Sequence, residues 1–114
     1  MPKKIKIPTF SDNRGSLGVI EKFIKFKIKR VYYLYNLKKN ISRGKHAHKK
    51  NFQFLICLHG QLEIKFKKKA YLLNNSQYGV LIRPSDWHEI IPRSKHSIAL
   101  VIASDYYDKN DYIL

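Results

Sequence analysis

Residues 23–29, Phe23-Ile24-Lys25-Phe26-Lys27-Ile28-Lys29, alternate apolar and charged side chains through most of their length. A period of two matches the pleat of a strand with one buried face and conflicts with the 3.6-residue repeat of a helix. The longer stretch LGVIEKFIKFKIK (17–29) is therefore expected to be a half-buried strand. RVYYLYNL (30–37) is rich in β-formers, FQFLICLHG (52–60) is an apolar run closed by glycine, and QLEIKFK (61–67) alternates again. Between the last two, His59-Gly60 predicts a tight hairpin turn. YGVLIRP (78–84) and HSIALVIAS (96–104) complete the strand candidates, set off by the turn-prone Pro84-Ser85-Asp86 and Pro92-Arg93-Ser94-Lys95. No stretch has the repeat of an amphipathic helix. Short strands with turn signals every eight to twelve residues imply an all-β sandwich or barrel, with the jelly roll as the form that suits an enzyme.

At 114 residues the chain is expected to form one domain, 1–114, because two cores would each be too small to bury enough surface. A hydrophobic fraction of 44% argues for a globular chain, not a disordered one. No apolar run approaches the roughly 20 residues that span a bilayer, and MPKKIKIPTF has no apolar segment behind its lysines. The expectation is a soluble, cytoplasmic protein with no membrane partner. The lone Cys57 lies among apolar neighbours and reads as a small buried hydrophobe. The net charge of +15 can attract phosphates or nucleic acid, yet lysines such as Lys25, Lys27 and Lys29 fall on alternate positions, as a solvated strand face requires.

The stretch RGKHAHKK (43–50) puts His46 and His48 two residues apart. In a strand they share a face, so two imidazoles meet in one pocket or one patch of solvent. Imidazole titrates near neutral pH and can hold a metal or move a proton. Gln53 and Gly60 follow at spacings that resemble the first signature of the cupin superfamily, in which histidines and an acidic residue converge inside a small β-barrel. A glutamine in the acidic position lacks charge and is a weak ligand for a divalent ion, which turns the pair towards acid–base chemistry. A metal site would have to use His46, His48, His88 and Gln53.

The match then narrows. Asp12-Asn13-Arg14-Gly15-Ser16-Leu17, the run from Ile28 to Tyr35, Arg43-Gly44-Lys45-His46-Ala47-His48-Lys49, Pro84-Ser85-Asp86-Trp87-His88, and Leu100 to Asp108 through Asp111-Tyr112-Ile113 resemble the sugar 3,4-ketoisomerases acting on dTDP-4-keto-6-deoxyglucose. The lysine-rich KFKKKAYLL departs from the acidic turn common in that family. The resemblance implies a single-domain, RmlC-like cupin jelly-roll barrel that moves a ketone from C4 to C3 through an enediol. It also implies a dTDP-linked 4-keto-6-deoxyhexose as substrate, no cofactor and no metal, a homodimer, and a place in surface-glycan deoxysugar biosynthesis.

Carried onto this chain, the resemblance makes His46 and His48 the catalytic pair, with His48 favoured as the C3 base. Arg14, Tyr33, Tyr35, Arg43, Gln53 and His88 are the expected substrate contacts, with His88 a possible second proton donor. Arg14 and His88 around the sugar favour a galacto product. Two other readings compete: a metal-binding cupin of different activity, and a basic β-barrel that binds nucleic acid, which the chosen reading excludes as a partner.

Overall fold

The computed structural model describes residues 2–114. Strands β1 (Lys3–Lys6), β2 (Thr9–Asp12), β3 (Gly15–Gly18), β4 (Arg30–Leu34), β5 (Arg43–His48) and β6 (Gln53–His59) make up the first half. They are followed by β7 (Leu62–Phe66), β8 (Ala70–Leu73), β9 (Tyr78–Ile82), β10 (His88–Pro92), β11 (Ile98–Ala103) and β12 (Tyr112–Ile113), with one 3-10 turn at Lys109–Asp111. Two five-stranded antiparallel sheets, β1-β9-β6-β11-β4 and β12-β5-β10-β7-β8, enclose the interior, and β2-β3 forms a separate hairpin. The fold observed is the all-β barrel expected from the strand pattern, in the jelly-roll form that the family resemblance implies.

Hydrophobic burial between the sheets closes one end of the barrel. Leu55 and Cys57 of β6, Leu62 and Ile64 of β7, Val80 and Ile82 of β9, and Ala99 and Val101 of β11 form one apolar cluster. Cys57 is fully buried in it, as its apolar neighbours suggested. Each such aliphatic side chain contributes on the order of 1.5–3 kcal/mol relative to exposure. The alternate residues of β6, Phe54 and Ile56, face outwards but are buried too, in a second cluster with Ile7, Ile24 and Ile102. Burial on both faces is why the β6 sequence reads as a continuous apolar run. Gly60, with φ +81°, makes the turn expected at His59-Gly60, but not as a hairpin: β6 pairs with β9 and β11 in the first sheet and β7 with β8 and β10 in the second, so the chain crosses between the sheets there.

The segment expected to be a strand over 17–29 is one only at its start, where β3 ends at Gly18. Beyond that it crosses the outer face of the first sheet, packing Ile20, Phe23, Ile24 and Phe26 against Phe54 and Leu81 while Lys25 and Lys27 stay exposed. Burial alternates only over Ile24–Lys27, and Ile28 is exposed like the lysines beside it. The segment does not become a strand because Phe23–Ile28 lies on the sheet's face, where no backbone edge offers hydrogen bonds. The N-terminal strand β1 forms an edge of the first sheet, paired with β9 with Lys3 opposite Leu81 and Lys6 opposite Tyr78. Strand β10, to which sequence patterning assigned no element between the turns at 84–86 and 92–95, is the centre of the second sheet.

Candidate active site

The inward positions of four strands turn polar at the end of the barrel opposite the aliphatic cluster. On β4 these are Arg30 and Tyr32, on β5 Arg43 and His46, on β6 Gln53, and on β10 His88, and all line one cavity of about 290 Å³ with Tyr107 and Tyr112 of the C-terminal segment. Register explains the convergence. Ala103 of β11 lies opposite both Arg30 and Gln53, and its small side chain leaves room between them. His88 lies opposite His46, and Tyr112 opposite His48.

A β-bulge aims the histidine of β5. The pairing jumps from His88–His46 to Glu89–Gly44, leaving Lys45 as the extra residue. Gly44 has φ +90° and Lys45 φ +59°. A Cβ at Gly44 would make only ordinary contacts, 3.4 Å from the His88 carbonyl oxygen and 3.8 Å from His46 Cε1, so it is the left-handed backbone of the bulge that calls for glycine here.

The three imidazoles form a cluster: His46 and His48 have ring centroids 5.0 Å apart, His46 and His88 5.1 Å, and His48 and His88 6.2 Å. Their environments differ. His46 lines the cavity and is half-buried; burial lowers its pKa, opposed by a hydrogen bond with the Gly44 backbone. His48 is only 3% exposed and lies behind the wall. Its Nδ1 is 3.0 Å from Asp111 Oδ2, and burial outweighs that carboxylate to lower its pKa. His88 donates from Nδ1 to the Asp86 carbonyl at 2.9 Å, which leaves Nε2 a bare acceptor. Burial pushes its pKa down to about 4, so it is neutral at neutral pH and poorly suited to donate a proton.

Tyr32 accepts a 2.7 Å hydrogen bond from Gln53 Nε2, which leaves its own O–H free to donate. Burial raises the phenol to about 12 and keeps it protonated. Arg30 stacks over the Tyr32 ring at 5.1 Å, and its Nε is buried with no hydrogen-bond partner among the described residues, as is Gln53 Oε1. The site therefore combines a neutral base, a neutral hydroxyl donor, a neutral acceptor and two fixed cations, a set able to move protons on a carbonyl compound and stabilise the anion formed. Among the described residues no three His, Cys, Asp or Glu side chains form a metal-ligand group.

His46, Arg43, Gln53 and His88 meet in the cavity as the sequence predicted. Tyr33 and Tyr35 do not. They lie on the outward side of β4 and beyond it, 62% and 60% exposed, and Tyr32 takes the place expected of them. Arg14 sits at the tip of the β2-β3 hairpin, paired with Asp12 at 2.6 Å and 87% exposed, away from the cavity wall of its own chain. Sequence reasoning missed Arg30, Tyr32, Tyr107, Asp111 and Tyr112. The Asp111-Tyr112 pair was visible as a motif, but nothing local says that a residue 63 positions from His48 reaches its ring.

Comparison with known proteins finds relatives in both sequence and fold. A sequence model of the FdtA family, described as WxcM-like, C-terminal, matches residues 2–114. The chain is 41% identical over 117 residues to a TDP-4-oxo-6-deoxy-alpha-D-glucose-3,4-oxoisomerase of Aneurinibacillus thermoaerophilus, covering 97% of this chain and 84% of that one. A 3,4-ketoisomerase from Helicobacter canadensis superposes with a TM-score of 0.93 at 40% identity, over 98% of this chain and 89% of the other. A histidine-to-asparagine mutant of the 3,4-ketoisomerase QdtA from Thermoanaerobacterium thermosaccharolyticum, in complex with TDP-4-keto-6-deoxyglucose, superposes with a TM-score of 0.85 at 39% identity, over 98% and 86%.

Proposed function

The chain belongs to the FdtA family, and from that premise we propose that it is a nucleotide-sugar isomerase converting dTDP-4-keto-6-deoxyglucose to the 3-keto sugar. The observation that carries this is the convergence of His46, Tyr32, His88, Arg30 and Arg43 on one cavity. At about 290 Å³ that cavity lies at the small end of the roughly 300–1,000 Å³ typical of ligand pockets, which suits a hexose inside and a nucleotide at the mouth.

The C4 ketone acidifies the C3–H bond. His46 takes that proton as the C3–C4 double bond forms and the electron pair moves onto O4. C4 then receives a proton, O3–H loses its own as the C3 ketone closes, and O4 gains one. One C–H and one O–H proton change place, and the sugar neither gains nor loses electrons. His46 replaces His48 as the base because it faces the cavity, whereas His48 is sealed behind it. Tyr32 donates to the developing oxyanion at O4, Arg30 and Arg43 offset the enediolate and pyrophosphate charge, and His88 Nε2 accepts from a sugar hydroxyl.

The product inferred is the galacto 3-keto sugar, with His88 in the wall as its remaining support. The setting inferred is cytoplasmic synthesis of a surface-glycan sugar, free of membrane and nucleic acid. Val31, Tyr33 and Tyr35, exposed along edge strand β4, support a homodimer. Among the described residues no helix is long and apolar enough to cross a membrane.

The test follows the sugar ring by NMR in heavy water with dTDP-4-keto-6-deoxyglucose. A 3-keto product with solvent deuterium at C4 in galacto configuration is expected, with turnover reduced by about 10²–10⁴ in His46→Asn. Unchanged substrate with the wild type would overturn the assignment, and a gluco product would overturn the stereochemical part alone.

A further inference from the structure

Asp111 is 5% exposed, and the polar contacts of its backbone and side chain tie it to the end of β5. Its Oδ1 accepts from the Lys50 amide at 2.9 Å and its carbonyl from the Lys49 amide at 2.8 Å, while Oδ2 meets His48 Nδ1. Its own amide donates to the Asp108 carbonyl at 3.0 Å, closing the 3-10 turn in which it stands. Burial opposes ionisation, but the Lys50 amide and His48 outweigh it and the pKa is lowered. An ionised carboxylate can only accept, so His48 Nδ1 must carry the hydrogen and Nε2 must be a bare lone pair. That Nε2 is buried and has no hydrogen-bond partner among the described residues.

The ring bearing it packs edge-on against His46 with centroids 5.0 Å apart. Tyr112 of β12, at 4.6 Å, and His88 of β10, at 6.2 Å, face it from neighbouring strands, and the charge of Arg30 on β4 also acts on it. We propose that Asp111 is a positioning residue of the isomerisation: through its bond to Nδ1 it holds His48 in the tautomer that can accept but not donate beside His46. An acceptor there favours the protonated His46 that forms when C3 loses its proton, and a donor there opposes it. The C-terminal segment, which also supplies Tyr112 to the cavity, thus sets the state of a ring on β5. This inference rests on the isomerase reading above.

Asp111→Asn tests it, because the amide keeps the shape, can still accept from Lys50, and would donate to Nδ1 and force the hydrogen to Nε2. Nitrogen-15 NMR of labelled histidine is expected to show Nδ1 of wild-type His48 protonated and Nε2 bare, with the two exchanged in the variant. The kcat is expected to fall by roughly 10²-fold with KM within about threefold, and the acid limb of the pH profile to move, since His48 loses its carboxylate. A folded variant with turnover within threefold of wild type overturns the proposal. So does wild-type His48 protonated at Nε2, a measurement that needs no variant to fold. A wild type that leaves dTDP-4-keto-6-deoxyglucose unchanged overturns the isomerase reading and the inference with it, whereas an active wild type with an undiminished variant overturns the inference alone.

Discussion

Strands β4 and β5 each line the candidate site with two polar side chains, and they announce themselves in the sequence very differently. On β5 the two histidines two apart are the conspicuous polar residues, and both face inwards as their spacing requires. On β4 the inward set is Arg30, Tyr32 and Leu34, and the outward set continues Val31, Tyr33 and Tyr35. Each set mixes apolar and polar groups and each contains tyrosine. Alternation sorts residues into two faces, but it does not say which face is the interior. β4 is an edge strand whose outward aromatic residues remain exposed, so the usual apolar-in, polar-out contrast that would settle the question is missing there.

The largest effect expected from this contrast is on Tyr32. Tyr32→Phe removes the inward hydroxyl and leaves the ring under Arg30, and steady-state kinetics should show kcat lower by about 10²–10³. Turnover close to wild type would mean that the Tyr32 hydroxyl is not the donor to the developing oxyanion.

A smaller effect sharpens the contrast between a buried ring and an exposed one. His88 has its pKa lowered to about 4 by burial, against 6.5 for the free side chain. As pH falls below about 6.5 the unfolded chain takes up a proton that the folded His88 resists. Stability is therefore complete above that pH and declines towards pH 4, by roughly 3 kcal/mol for this one group. His46 and His48, also lowered by burial, act in the same direction. Thermal melts from pH 7 to pH 4.5 should show a falling Tm, and His88→Gln should flatten the slope. A Tm independent of pH over that range would contradict the burial of His88 in neutral form.

The smallest effects belong to the outward face. Tyr33→Phe and Tyr35→Phe each remove a hydroxyl from solvent, and kcat in the isolated protein should stay within about twofold, with stability within ~0.5 kcal/mol. A loss matching that of Tyr32→Phe would reverse the assignment of faces on β4.

Much of the barrel was legible because β-propensity and alternation are local. β6, β7, β9 and β11 all fall inside the runs that predicted them, and Gly60 makes the turn it marked. β10 was hidden because its sequence, HEIIP, begins in a turn and ends in proline. The segment after β3 misled because a chain lying over a sheet shows, over Ile24–Lys27, the same burial alternation as a strand within one. In the site, His46, Arg43, Gln53 and His88 could be named from motifs, while Arg30 and Tyr32 depended on the inward phase of β4.

Local sequence alone determined that this chain is built of short strands and that His46 and His48 share a side. Those properties follow from the two-residue pleat and from residue types, which need no partner. Only the tertiary structure decided which histidine meets the cavity and which is locked behind it. That choice rests on a bulge at Gly44 and on a carboxylate 63 residues beyond His48. Contacts between strands distant in sequence set both, and no local pattern encodes them.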